Sequence, residues 1–222
     1  MAAAQRITGA PPDAARAIRS HRLLFGDWHP WLRDPLDLLR LAFLVGAIVG
    51  LARGDAETAV RMALTFVVTL AARRLDLPRP LDLAVIVGLA LQAFGNAFGL
   101  FNEPWHYDKV VHFILPAAVA PTVYVLLIRL QLVPDLAEPR TRAHPAGIAI
   151  VTLGLGMTVG VVYELYEYFA VNVLNAGLHV GYGDTIGDLL DDGVGSLLGG
   201  LLLMIWQSRG WGSVRRVHAP TR

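Results

Sequence analysis

The sequence predicts an all-α, polytopic membrane bundle of about six transmembrane helices with both termini in the cytoplasm. Three observations carry that expectation. Apolar side chains make up 55% of the 222 residues and charged ones only 17%, with a mean hydropathy of +0.50, too apolar for an ordinary soluble domain. The apolar residues gather into six runs of about 17 residues or more, the length that a hydrocarbon layer of about 30 Å asks of a helix. The basic residues collect at alternate ends of those runs.

Residues 1–33 open with MAAAQRITGAPPDAARAIRS, which has no apolar core of the kind a secretory signal requires, and read as a polar cytoplasmic arm. Residues 34–207 form the six-helix transmembrane domain. Its spans are Leu36 to Ala52, Ala56 to Ala72, Leu81 to Phe101, Val110 to Leu130, Ala146 to Leu174 and Ile186 to Trp206. The first two are short and carry charges, but Asp37 with Arg40 and Glu57 with Arg61 fall three and four residues apart near helix ends, where pairing and snorkelling soften the cost. The fifth is too long for one crossing, so its last turns, from Glu167 to Leu174, are expected to protrude. Residues 208–222 form a basic cytoplasmic tail.

An even number of spans puts both termini on one side, and the basic residues choose the side. Fifteen arginines fall in the segments on the terminal side: Arg6, Arg16, Arg19, Arg22, Arg33, Arg73, Arg74, Arg79, Arg129, Arg140, Arg142, Arg209, Arg215, Arg216 and Arg222. Only Arg53 and Lys109 fall in the opposite loops. This predicts a multi-pass protein of a bacterial inner membrane whose arm and tail lie against anionic lipid; no nucleic-acid partner is expected. There is no cysteine, which excludes disulfides, thiol catalysis and Cys-ligated metals. No GxSxG, Walker loop, HExxH or dinucleotide fingerprint is present.

The acidic residues run the other way. Glu103, Asp108, Glu164, Glu167, Asp184, Asp188, Asp191 and Asp192 all fall at the outer ends of the last three spans or in their loops, with Lys109 the only nearby Lys or Arg. Asp108 and His112 are four apart and share a helix face, from which Lys109 is expected to point away. Glu164 and Glu167 share another face, and Asp184, Asp188, Asp191 and Asp192 line a third. Carboxylates crowded near hydrocarbon repel one another and are costly unless compensated. With a histidine among them they suit a divalent cation such as Mg, Mn, Ca or Zn. Asp108, His112, Glu164, Asp184 and Asp188 are the expected ligands, leaving Glu167 and Asp192 for acid–base catalysis. Alternatively, Asp184 caps the last span, Asp191 or Asp192 faces water, and others pair with Lys109, His106 or His179.

Gly95/Gly99, Gly156/Gly160 and Gly195/Gly199 are expected to permit close helix contact. Pro116 and Pro121 are expected to kink the fourth span and open a cavity beneath the site. Tyr107, Tyr163, Tyr166, Tyr168, Tyr182 and Trp105 read as an outer aromatic belt, and Trp28, Trp31, Trp206 and Trp211 as an inner one.

The blocks DKxxHF (from Asp108), ExxE (Glu164 and Glu167) and DTxGDxxxD (Asp184 to Asp192), followed by closely spaced glycines, resemble the YjdF-like family of bacterial inner-membrane proteins. They are also similar to the VanZ-like family, whose pattern is DKxxH, an acidic residue with Gln three later, and D-x-x-x-N-x-x-G-x-x-x-G. Asp108, Lys109, His112, Glu164, Asp188, Gly195 and Gly199 match. Glu167 stands where Gln, and Asp192 where Asn, would be expected, which favours the YjdF-like branch. The resemblance spans Trp105 to Gly200 and implies an integral membrane protein whose motif residues gather in one site.

The leading expectation is therefore an outward-facing carboxylate–His site that binds a divalent cation and serves a hydrolase or transferase acting on a lipid-linked envelope substrate. A cation- or proton-coupled transporter and a structural or accessory envelope protein are the alternatives.

Overall fold

The computed structural model describes residues 35–75, 77–102, 107–138, 144–174 and 181–214. The arm at 1–33, residues 215–222 of the tail, and Glu103, Trp105, His106 and His179 lie outside the described residues. Among the described residues six helices follow one another: α1 (Leu36–Ala52), α2 (Ala56–Leu75), α3 (Arg79–Ala97), α4 (Tyr107–Arg129), α5 (His144–Leu174) and α6 (Tyr182–Ser208), with a 3-10 turn at Leu100–Asn102 before α4. No strand occurs among the described residues.

Four helices, α3, α4, α5 and α6, are long and apolar enough to cross a membrane; α1 and α2 do not meet that measure. The surface has the pattern such helices demand. Leu64, Val67, Ile150, Val162, Leu165 and Leu202 are exposed, whereas Arg40, Asp82, His112, Glu164, Asp188 and Asp192 are buried. In water this arrangement would be inside out; in lipid the apolar faces meet hydrocarbon and the polar groups turn to one another.

The helices run up and down. At one end Arg40 reaches from α1 to the Thr69 carbonyl of α2 (3.0 Å) and to Asp82 at the start of α3 (2.5 Å). At the same end Arg129, closing α4, donates to the carbonyls of Leu75 and Val214. This is the arginine end. Asp37 completes its buried network, 2.7 Å from Arg40 and 3.1 Å from Arg73.

α4 is the central element, packed on α3, α5 and α6. It runs unbroken through Pro116 and Pro121. Against α6 it makes a parallel contact in which Gly195 abuts the Phe113 carbonyl and Gly199 the Ala117 carbonyl. Pro121 has no N–H to give to the Ala117 carbonyl four residues earlier, and that oxygen lies on the α6 backbone instead. α5 and α6 cross in antiparallel register through Gly160 with Asp192, Gly156 with Ser196 and Gly200 with Thr152. The half of the bundle near the arginine end closes on Tyr124, Val125, Ile128, Ile148, Leu203 and Trp206.

Several expectations are corrected. The third span does not run to Phe101: α3 stops at Ala97, and Gly99, at φ +69°, turns the chain away. A glycine takes that left-handed conformation without the steric cost of a Cβ. Gly95 and Gly99 therefore form no helix contact together; Gly95 instead lies under the Tyr107 ring. Tyr107 and Trp206 are not belt residues, because each is turned inward to give its polar hydrogen to a carbonyl, Tyr107 to Leu91 (2.6 Å) and Trp206 to Gly212 (3.1 Å).

Candidate cation site at the carboxylate end

At the end opposite the arginines, the first turns of α4 and α6 lie beside the later turns of α5. The parallel α4/α6 contact, allowed by Gly195 and Gly199, draws the DKxxH block onto the acidic stripe of α6. One possible ligand atom each from Asp108, His112 and Asp188 lies within 4.8 Å of the others. His112 and Asp188 are buried, and Asp108 is partly exposed.

The His112 ring is held at Nδ1 and faces a second carboxylate at Nε2. Its Nδ1 is 3.1 Å from Asp192 Oδ1 and its Nε2 is 3.6 Å from Asp108 Oδ1, and Tyr163 packs edge-on at 5.6 Å between centroids. Asp192 is 2% exposed, fixed where Gly160 leaves room for its carboxylate. Among the described residues its other oxygen has no hydrogen-bond partner; nor has Asp188 Oδ1 or Glu164 Oε1. Buried polar atoms are rarely left so, and Asp188 and Asp192 both stand beside His112.

Lys109 does not point away from the cluster as expected. The rotation of about 100° that separates it from Asp108 carries it towards α6, where its ammonium is 3.8 Å from Asp188 and 3.9 Å from Asp191. The same ammonium acts on Asp108 as well as on Asp188. Asp184 contributes to the field at Asp108 and Asp188. Glu167 stands at the rim beside Tyr163, close enough to act on Asp108 and His112. Glu164 is buried, and the α5/α6 register puts it level with Asp188.

Two contributors were not legible as site residues. Tyr163, read as belt, turns inward, and Gln92 of α3 donates to its hydroxyl at 2.8 Å. A lone amide in the apolar LALQAF stretch was the available signal. Ser196, fully buried with its hydroxyl unpartnered, continues the α6 polar stripe one turn below Asp192. Beneath His112 opens a cavity of about 100 Å³ that reaches Pro116, so the expected space below the site exists. Pro121, the other proline, does not line it.

Residues 36–209 match the family described as predicted membrane protein DUF2238, and the chain belongs to that family. No curated protein and no solved structure matches it.

Proposed function

We propose that this DUF2238 membrane protein is a six-span inner-membrane enzyme whose carboxylate end faces outward and binds a divalent cation for hydrolysis or transfer at a lipid-linked phosphate or ester. The observation that carries the reading is the gathering of Asp108, His112 and Asp188 within 4.8 Å beside buried carboxylate oxygens that have no hydrogen-bond partner among the described residues. A donor set of carboxylates with one imidazole suits Mg, Mn, Ca or Zn. The arginine-rich opposite end supports the orientation, and the likeness to the VanZ-like family is compatible with an outward-facing site.

Each residue has work in this reading. Asp108, His112 Nε2 and Asp188 hold the cation, with Glu164 and Asp184 completing its surroundings. Asp192 is a positioning residue rather than the base expected from sequence: it accepts the hydrogen bond from Nδ1–H, which fixes the ring and its tautomer and leaves Nε2 free. When bound, the cation polarises a phosphoryl oxygen and lowers the cost of charge on attacking water. Glu167, at the rim, takes the water's proton as the new oxygen–phosphorus bond forms. As the bond to the lipid oxygen breaks, Glu167 returns that proton to the leaving oxygen, giving a lipid alcohol and inorganic phosphate.

The transporter alternative is less well supported, because below Ser196 and Thr152 the bundle closes on apolar side chains from Tyr124 to Trp206. The experiment is phosphate release from a prenyl or diacylglycerol phosphate by the full chain in lipid bilayers. Release that chelator stops, and that Glu167→Gln loses while still binding Mn²⁺, is the expected result. No chelator-sensitive release from either substrate class would overturn the enzymatic reading.

A further inference from the structure

The cavity beneath His112 is a slot with two unlike ends. Leu89 of α3, Leu115, Pro116 and Val119 of α4 and Val159 of α5 form its apolar walls, while Gln92, His112, Tyr163 and Asp192 stand at its head. No backbone contact joins α3 to α5. The hydrogen bond from Gln92 to Tyr163 bridges them at the carboxylate end. Below that bridge the slot is flanked by α5 residues that face lipid, Val159 among them at 38% exposed.

From this geometry we propose that the slot admits one hydrocarbon chain of a membrane lipid sideways between α3 and α5, with the lipid's head group held at the cation site. The proposal rests on the cation reading for the head group and adds the chain subsite and its route. Water is a poor occupant of the apolar part, since a dry engineered cavity of about 150 Å³ takes benzene rather than solvent. A chain from the surrounding bilayer is an apolar occupant already present at that depth. The polar groups at one end fit an amphiphile better than a wholly apolar guest: a chain below Pro116 leaves its head beside His112, where Asp192 is 2% exposed with one oxygen unpartnered.

The test uses the full chain in vesicles of phosphatidylethanolamine and phosphatidylglycerol, a fraction of the latter carrying a diazirine in one acyl chain. After illumination, adducts are mapped by peptide mass spectrometry and Mn²⁺ binding is measured on the same samples. Adducts concentrated on Leu89, Val119 and Val159, falling at least tenfold in Val119→Trp with Mn²⁺ binding unchanged, are the expected result. Val159→Trp, at an exposed position, is the second slot-filling variant should the first not fold. Labelling spread evenly over the lipid-facing surface and insensitive to both substitutions overturns the chain subsite whatever the Mn²⁺ content. Slot-specific labelling without Mn²⁺ binding overturns the cation reading on which the head-group placement rests.

Discussion

The imidazole of His112 lies between two carboxylates from different helices, its Nδ1 3.1 Å from Asp192 and its Nε2 3.6 Å from Asp108. Such a ring has its proton assigned by the better hydrogen-bond partner, and Asp192, buried and nearer, is that partner. Nε2 is then turned toward the Asp108–Asp188 side. A carboxylate behind a histidine in this way contributes about 10–100-fold to cation affinity.

Asp192→Asn is accordingly expected to keep the fold and weaken Mn²⁺ binding by roughly 10–100-fold. Titration followed by the Mn²⁺ spin-resonance signal measures it. An unchanged affinity would mean that Asp192 does not orient the ring.

The two glycine contacts separate packing from chemistry. A methyl group at Gly160 meets the Asp192 carboxylate, which must shift off His112 to admit it; one at Gly195 meets the Phe113 carbonyl, part of the helix backbone. Gly160→Ala should lower Mn²⁺ affinity with little loss of stability. Gly195→Ala should destabilise the bundle by about 1–3 kcal/mol through overpacking. Thermal melting beside the Mn²⁺ titration distinguishes them, and equal effects of both substitutions on both readouts would contradict this division.

At the arginine end, Arg40 is 2% exposed and serves Asp37, Asp82 and the Thr69 carbonyl. Removing one partner of a buried charge network costs about 3–5 kcal/mol. Arg40→Ala should therefore reduce folded yield sharply, and Arg40→Lys should recover only part of it because an ammonium lacks the guanidinium fork. Mn²⁺ affinity of whatever folds should be unaltered, since this network ties α1, α2 and α3 at the far end of the molecule.

Asp55 lies in the turn before α2, where its carboxylate accepts the Thr58 N–H at 3.0 Å. Hydrogen bonds from the Thr58 side chain first, and from this N–H second, hold the carboxyl below the usual range for an aspartate. A depressed folded value means that the cap's contribution is complete above the unfolded value, about 3.9, and is lost as pH falls through the lower folded one. The Thr58 amide resonance should shift across that acid window and exchange faster below it, and Asp55→Ala should abolish the transition.

Much of this architecture is written in local spacing, and the rest is not. The i,i+3 and i,i+4 acidic pairs put Asp108 with His112 and Asp188 with Asp192 on shared faces. The Asp37–Arg40 and Glu57–Arg61 pairs form as their spacing requires, at 2.7 and 2.6 Å. Helical periodicity says nothing of which neighbour a face meets. The His112–Asp192 contact joins residues 80 apart and the Gln92–Tyr163 bridge residues 71 apart, and both depend on how α3, α5 and α6 surround α4. Lys109 shows the same limit: its angle from Asp108 was legible, but not that α6 stood in that direction. Tyr163 shares the belt composition of Tyr166 and Tyr168, and only the position of His112 distinguishes it. Gly99 matched a packing spacing in sequence, whereas its positive φ belongs to a turn.

The central claim is that Asp108, His112 and Asp188 hold a divalent cation, and elemental analysis of the purified full chain at neutral pH, beside Asp188→Asn, tests it most directly. The account predicts about one divalent ion per chain in the native protein and its loss in the variant, with helical content unchanged because the substitution keeps the side chain's shape and removes only its charge. A native protein without a divalent ion, or a variant that retains the full complement, would contradict it.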